Sequence, residues 1–140
     1  MQQKVRPFTA ADLDTVSGIF ADVQDGWSKK ALAESLENTS IKSYVLENGT
    51  DIAAFAAYLV ADDAELVFVV TDKKYLRQGC GEKILTATLA ELGLPCVLEV
   101  RESNPAAIRL YEKLGFKLLG RRNNFYSNPV EAALIYKKEI

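Results

Sequence analysis

The sequence predicts a mixed α/β fold, one central sheet of about seven strands with helices on both faces. Three observations predict it. Two apolar runs flank Asn48-Gly49, the signal of an antiparallel hairpin. A continuous apolar run at 64–71 is followed by a glycine-bearing loop, a helical stripe and a second short apolar run at 95–100. That strand–helix–strand order makes two strands parallel. Two further strand-like runs, FKLLGRR and EAALIYKK, close the chain as a pair.

Each element has its own signal. QQKVRPF reads as a short first strand. Thr9, with Asp12 three residues on, resembles a capping box and opens a helix expected over 10–24. Ser28 is placed to cap a second helix, on which Ala31, Leu32, Ser35 and Leu36 share one side. In IKSYVLENGTDIAAFAAYLV the Asn48-Gly49 pair suits the positive φ angles of a two-residue turn between strands. AELVFVVT (64–71) is apolar throughout, the pattern of a strand covered on both faces. Ile84, Leu85, Thr88, Leu89 and Leu92 form a helical stripe that stops at Gly93. PCVLEV (95–100) is a short buried strand, and Asn104-Pro105 supplies a cap and a first-turn proline for a helix running through Leu114 to Gly115.

Composition narrows the function. With no internal repeat, low-complexity tract or linker, the 140 residues are expected to form one domain, 1–140. No apolar run reaches the roughly 18 residues that cross a bilayer. The start, MQQKVRPFTA, lacks the apolar stretch of a secretory signal. The expectation is a cytoplasmic protein with no membrane partner. A net charge of −2 argues against direct nucleic-acid binding, which calls for a basic excess. Cys80 and Cys96 fit neither a disulfide framework nor a four-ligand zinc site, so no metal is expected. There is no histidine, which excludes a histidine-centred triad and leaves carboxylate, tyrosine, cysteine or amine as the general base.

The segment YLRQGCGEKIL (75–85) places Gly79 and Gly81 at the mouth of a helix, just after Arg77 and Gln78. One reading is a tight strand-to-helix turn. The other is a phosphate cradle, because a helix start offers unpaired N–H groups and a partial positive charge, and glycines let an anion reach them. Neither a Walker loop nor the three-glycine dinucleotide fingerprint is present. Two other residues also carry two readings. Glu99, inside the apolar VLEV, is either an ion-pair partner, with Arg101 or Arg109 as candidates, or a poorly hydrated carboxylate fit to act as a base. Tyr111 is either a core tyrosine or an acid. Cys80 is expected to pack as a small hydrophobe rather than act as a nucleophile, since no histidine can activate it.

YLRQGCGEKIL resembles the Arg/Gln-x-x-Gly-x-Gly/Ala motif of the GNAT acetyltransferases. LEVRESNPAAIRLYEKLGF (98–116), GWS (26–28) and the tail RRNNFYSNPVEAALIYKK extend the likeness, specifically to the ribosomal-protein-alanine N-acetyltransferase (RimI) branch. The resemblance implies the GNAT fold, in which strands 64–71 and 94–100 lie parallel but splay apart. It implies an acetyl-CoA co-substrate whose pantetheine arm pairs with Val69, Val70 and Thr71. Its pyrophosphate would lie among Arg77, Gln78, Gly79, Cys80, Gly81 and Glu82, with Asn104 as a further contact. Glu99 then matches the base and Tyr111 the acid of direct, single-displacement acetyl transfer. Trp27 and Tyr126 would line the acceptor groove. The implied acceptor is a protein N-terminus, the N-terminal alanine of a small-subunit ribosomal protein, served by a monomer or weak dimer. Transfer to a small-molecule or lysine amine, or a non-catalytic acyl-CoA sensor, are the alternatives. Gly26 and Lys73 stand where the family carries proline, and Asn124-Phe125 replaces part of its aromatic tail.

Overall fold

A computed structural model describes residues 2–140. Strands β1 (Gln3–Pro7), β2 (Ile41–Asn48), β3 (Asp51–Val60), β4 (Ala64–Thr71), β5 (Cys96–Arg101), β6 (Lys117–Tyr126) and β7 (Glu131–Lys138) form one sheet. Their order is β1-β2-β3-β4-β5-β7-β6, and only β4 and β5 run parallel. Helices α1 (Leu13–Ile19) and α2 (Lys29–Glu37) cover one face of the N-terminal half. Helices α3 (Cys80–Leu92) and α4 (Pro105–Lys113) cover the other face. Apolar side chains separate accordingly. Val45, Phe55 and Leu32 lie in the first layer, and Tyr58, Ile84, Leu85 and Leu98 in the second. Full burial of side chains such as Ile84 and Leu85 contributes roughly 1.5–3 kcal/mol each. No helix among the described residues is long and apolar enough to cross a membrane.

Local chemistry explains the starts and stops. The Asp12 carboxylate accepts from the Thr9 amide at 2.9 Å and from two guanidinium nitrogens of Arg6 at 2.7 Å, which ties β1 to the first turn. Arg6 also pairs with Glu47 on β2. The hydrogen bonds from Arg6 hold the Asp12 carboxyl below its ordinary range. Ser28 caps α2 by accepting from the Ala31 amide at 3.1 Å, as its sequence position predicts.

The helix expected over 10–24 is shorter. A seven-residue α1 is flanked by tight three-residue turns at Ala10–Asp12 and Phe20–Asp22. The second turn sets Phe20 edge-on to Phe55 and Phe68, at 5.5 and 5.1 Å between centroids. The hairpin turn is displaced by one residue. Asn48 ends β2 opposite Asp51, so Gly49-Thr50 make the turn, with Gly49 at φ 66. The register shifts between Leu46 and Glu47, where Leu46 pairs with Ala54 and Glu47 with Ile52, so an irregularity in the ladder precedes the turn.

Coverage of β4 on both faces is not what forms. Ala64 and Leu66 are buried, but Val67 to Thr71 are half-buried. The reason is that β4 pairs with β5 only at Ala64↔Cys96 and Glu65↔Val97, after which the two strands part. A gap opens inside the sheet, and the molecule's chemistry-bearing residues collect around it.

Candidate active site

A cleft of about 360 Å³ occupies the gap, lined by Val69 and Val70 of β4, Glu99 of β5, Asn104 and Tyr111 of α4 and its cap, and Tyr126 of β6. Thr71 ends β4 opposite Ala54, outside the lining, where the strand leads through Asp72 into the glycine loop. The Asp72 carboxylate accepts from the Lys74 amide at 2.9 Å and so fixes the start of that loop.

The loop and the start of α3 have the geometry of an anion cradle. Arg77 and Gly79 both take left-handed backbone conformations, φ 63 and 76, which turn successive amides to one side. Among the described residues, no amide from Arg77 to Glu82 donates to a backbone carbonyl with normal geometry. Arg77, Gln78 and Gly79 are exposed. Cys80 turns inward, 1% exposed, into the apolar layer under α3, as expected of a small hydrophobe. A methyl group at Gly81 would meet the Leu110 Cδ2 of α4 at 3.3 Å, so a small residue is needed where α3 starts beside α4. Glu82, the acidic residue of the first turn, is drawn to Lys113 of α4 at 2.8 Å, which offsets its charge. These groups suit a diphosphate: bare N–H groups, a helix N-terminus of thirteen residues, and an exposed arginine.

Glu99 and Tyr111 reach the gap from opposite sides of the sheet. Along β5, Cys96, Leu98 and Val100 point into the α3/α4 layer, so Glu99 and Arg101 point the other way. Beyond β4 that second face carries neither α1 nor α2 in its apolar layer. Tyr111 belongs to the α3/α4 layer, 8% exposed and edge-on to Phe116 at 5.8 Å. Burial, with smaller contributions from Tyr126 and Cys96, pushes its phenol up to about 12. Burial also raises the Tyr126 phenol, and the neighbouring Glu99 adds to it.

The Glu99 carboxylate is divided between two environments. Its Oε1 lies 3.5 Å from Arg122 Nη1 on β6. Its Oε2 is buried and has no hydrogen-bond partner among the described residues. Neither Arg101 nor Arg109 is therefore its ion-pair partner. Arg101 donates to Glu131 at 3.0 Å and to the carbonyls of Ser127 and Pro129, and its guanidinium stacks on the Tyr126 ring at 4.4 Å. Arg109 is exposed on α4. Glu131 also accepts from Ser103, from both amide and hydroxyl at 3.0 Å, so Arg101 and Glu131 together fasten the β6–β7 hairpin to the end of β5.

Asn104 both caps α4, accepting from the Ala107 amide at 3.2 Å, and lines the cleft. Trp27 is edge-on to Phe68 at 5.0 Å and half-buried, one side chain removed from the cleft. Val23, Gln24 and Asp25, just before it, do line the cleft. Gln24 donates to the Asn128 carbonyl at 2.5 Å and Asp25 lies 3.6 Å from Arg101, so this loop bridges to the β6–β7 hairpin. Gly26 has no room for a side chain: a Cβ would stand 2.7 Å from the Phe20 ring and 3.0 Å from Val23. Sequence reasoning named Arg101 only as a possible partner of Glu99, and it missed Arg122, Gln24 and Asp25, whose places depend on contacts across the sheet and between loops.

Residues 12–116 match the acetyltransferase (GNAT) family. The [ribosomal protein bS18]-alanine N-acetyltransferase of Escherichia coli K12 is 40% identical over 71% of this chain and 70% of its own length. The crystal structure of the ribosomal-protein-S18-alanine N-acetyltransferase from Escherichia coli superposes with a TM-score of 0.89 at 33% identity, covering 99% of this chain and 94% of that one. A GNAT family acetyltransferase from Elizabethkingia anophelis, solved with acetyl-CoA bound, shares the fold with a TM-score of 0.77 at 19% identity, covering 99% and 98%.

Proposed function

This chain belongs to the GNAT acetyltransferase family and is an acetyl-CoA-dependent N-acetyltransferase, and we propose that its acceptor is a protein N-terminal α-amine. By analogy with the Escherichia coli relative, the acceptor is the N-terminal alanine of a small-subunit ribosomal protein. One observation carries the mechanistic part: a single cleft holds a buried carboxylate oxygen without a partner and a phenol that stays protonated far above neutral pH.

Acetyl-CoA supplies an acetyl group as a thioester, and the chain must position it, deprotonate the amine and protonate the departing thiolate. The amides of 77–82 would hold the diphosphate, with Arg77 adding a charge-assisted contact. Val69, Val70 and Thr71 pair with β3 on one side, and on the side toward β5 they lie beyond the last parallel pair among the described residues, which leaves backbone groups for the pantetheine arm to pair with, as an added strand would. Asn104 would contact the same arm from the cap of α4. Glu99 Oε2 would take the proton of the attacking amine, and the Tyr111 hydroxyl would give one to sulfur. Trp27, through Phe68, and Tyr126 would shape the acceptor side. An α-amine, with a pKa near 8, is neutral in roughly one molecule in seven at pH 7, against about one in a few thousand for lysine. A single carboxylate base is therefore better matched to an N-terminus.

The test is incubation with acetyl-CoA and an alanine-led peptide, beside a panel of small amines and an internal-lysine peptide. Transfer to the first acceptor, with the product's acetyl group on the α-nitrogen by mass spectrometry, is expected. Transfer confined to small amines or lysine would replace the acceptor. CoA binding by calorimetry without turnover on any amine would make the chain an acyl-CoA sensor.

A further inference from the structure

We propose that Arg122 is a positioning residue for the acid–base pair, fixing one oxygen of Glu99 so that the other faces the acceptor amine; this rests on the reading of Glu99 as the base. The carboxylate has two oxygens with separate fates. Arg122 Nη1 stands 3.5 Å from Oε1, while Oε2 is buried and without a partner. A buried acceptor left unsatisfied is disfavoured unless a ligand donor completes it. An amine N–H in the cleft is such a donor.

The fold holds Arg122 in place by three devices. Arg122 pairs with Ala133 of β7, and Ala133 pairs with Arg101 of β5, so the three residues form one row across the sheet. Glu99 lies two residues along β5 on the same face as Arg101. Ala133 carries only a methyl group, which leaves the guanidinium a path over β7 to the carboxylate. Next, β6 bulges between Arg122 and Tyr126, with Asn124 at φ 53. The bulge returns Phe125 over the guanidinium, 4.5 Å from ring centroid to Cζ. It also sets Tyr126 opposite Glu131 and onto the cleft. Lastly, Arg101, the other guanidinium on this face, is already engaged by Glu131 and two carbonyls, so it does not compete for Glu99.

The charged and titratable groups around Glu99 are thus Arg122 and Tyr126 from β6, Arg101 on β5, Tyr111 from α4 and Asp25 from the loop after α1. β4 presents Val67 to Val70, all apolar, and β7 presents Ala133 and Ile135. Among these, Arg122 is the cation within ion-pair distance of the carboxylate. Removing it leaves Oε1 unheld and the carboxylate free to turn, so Oε2 is no longer kept facing the cleft.

A double-mutant cycle tests this with the alanine-led peptide and acetyl-CoA: wild type, Arg122→Ala, Glu99→Gln and the double variant. Arg122→Ala should lower kcat about tenfold and leave the acetyl-CoA KM nearly unchanged. In the Glu99→Gln background the same substitution should add less than about a twofold loss, because its partner is gone. Arg122→Lys should recover part of kcat, and covers the case of an alanine variant that fails to fold. Equal losses in both backgrounds, or a loss that falls on the acetyl-CoA KM and not on kcat, would overturn the proposal while leaving Glu99 as base. A wild-type kcat for Glu99→Gln alone would instead remove Glu99 from the mechanism, and Arg122 with it.

Discussion

Glu99 and Tyr111 owe their places to simple alternation. On β5 every second residue faces the α3/α4 layer, so an acid between Leu98 and Val100 must face the other side, where the sheet is uncovered and split. Tyr111 lies on the buried side of α4, with its phenol at the same gap. Glu99→Gln should lower kcat/KM by about 10²-fold or more at pH 6, less as pH rises and neutral amine becomes abundant, with CoA affinity nearly unchanged. Loss of CoA affinity in a calorimetric titration would contradict it. Tyr111→Phe should lower kcat on the order of 10²-fold with little change in KM, and an unchanged single-turnover rate would remove the phenol from the chemistry. Both residues could be picked out from the sequence because each is out of character for its surroundings. The partner of Glu99 could not. Arg122 reaches it across an intervening strand, by a register that depends on a bulge, and residue spacing along the chain carries no record of such a crossing.

At the level of elements, the turn from β4 into α3 is the decisive piece. Gly79 needs glycine for its left-handed backbone, whereas a Cβ there would meet open space, so the demand is conformational rather than steric. Gly81 is the reverse, an ordinary helical glycine whose missing side chain lets α3 start close to Leu110 of α4. Gly81→Asp, which puts bulk and negative charge among the amides, should abolish acetyl-CoA binding in calorimetry while the melting temperature changes little; retained affinity would refute the cradle. Caps and strands with local signals, at Ser28, Asn104, Gly93 and residues 64–71, were legible in the sequence. The elements that departed from expectation were those set by distant packing. Phe20 packs on Phe55 and Phe68 where α1 is expected to continue, and the turn between β2 and β3 follows a register shift between Leu46 and Glu47.

For the whole molecule, the sheet is two antiparallel halves joined by two parallel residue pairs, and the gap beyond them is where both faces communicate. The hairpin, the parallel pair and the closing strand pair followed from periodicity and connection rules, whereas the insertion of β7 between β5 and β6 did not. The splay did not, because Val67 to Thr71 look the same whether a neighbouring strand or a ligand covers them, and only the family resemblance supplied it. The all-buried tyrosines make a further global prediction. Burial pushes Tyr44 and Tyr111 up to about 12 and Cys96 to about 11, from ordinary values near 10 and 9. The folded state therefore keeps these protons longer than the unfolded chain, and their contribution is full below pH 9 and lost as pH climbs through 11 and 12. For Tyr111 this is on the order of 2–3 kcal/mol. The urea midpoint should hold between pH 7 and pH 8.5 and fall steeply above pH 10; a midpoint unchanged at pH 11 would contradict the burial argument. The most direct test of the whole account is a crystal structure with acetyl-CoA bound. The diphosphate should sit on the amides of residues 77–82, with the thioester sulfur in the gap between Glu99 and Tyr111. Density placing the diphosphate elsewhere, or the sulfur out of reach of both side chains, would contradict it.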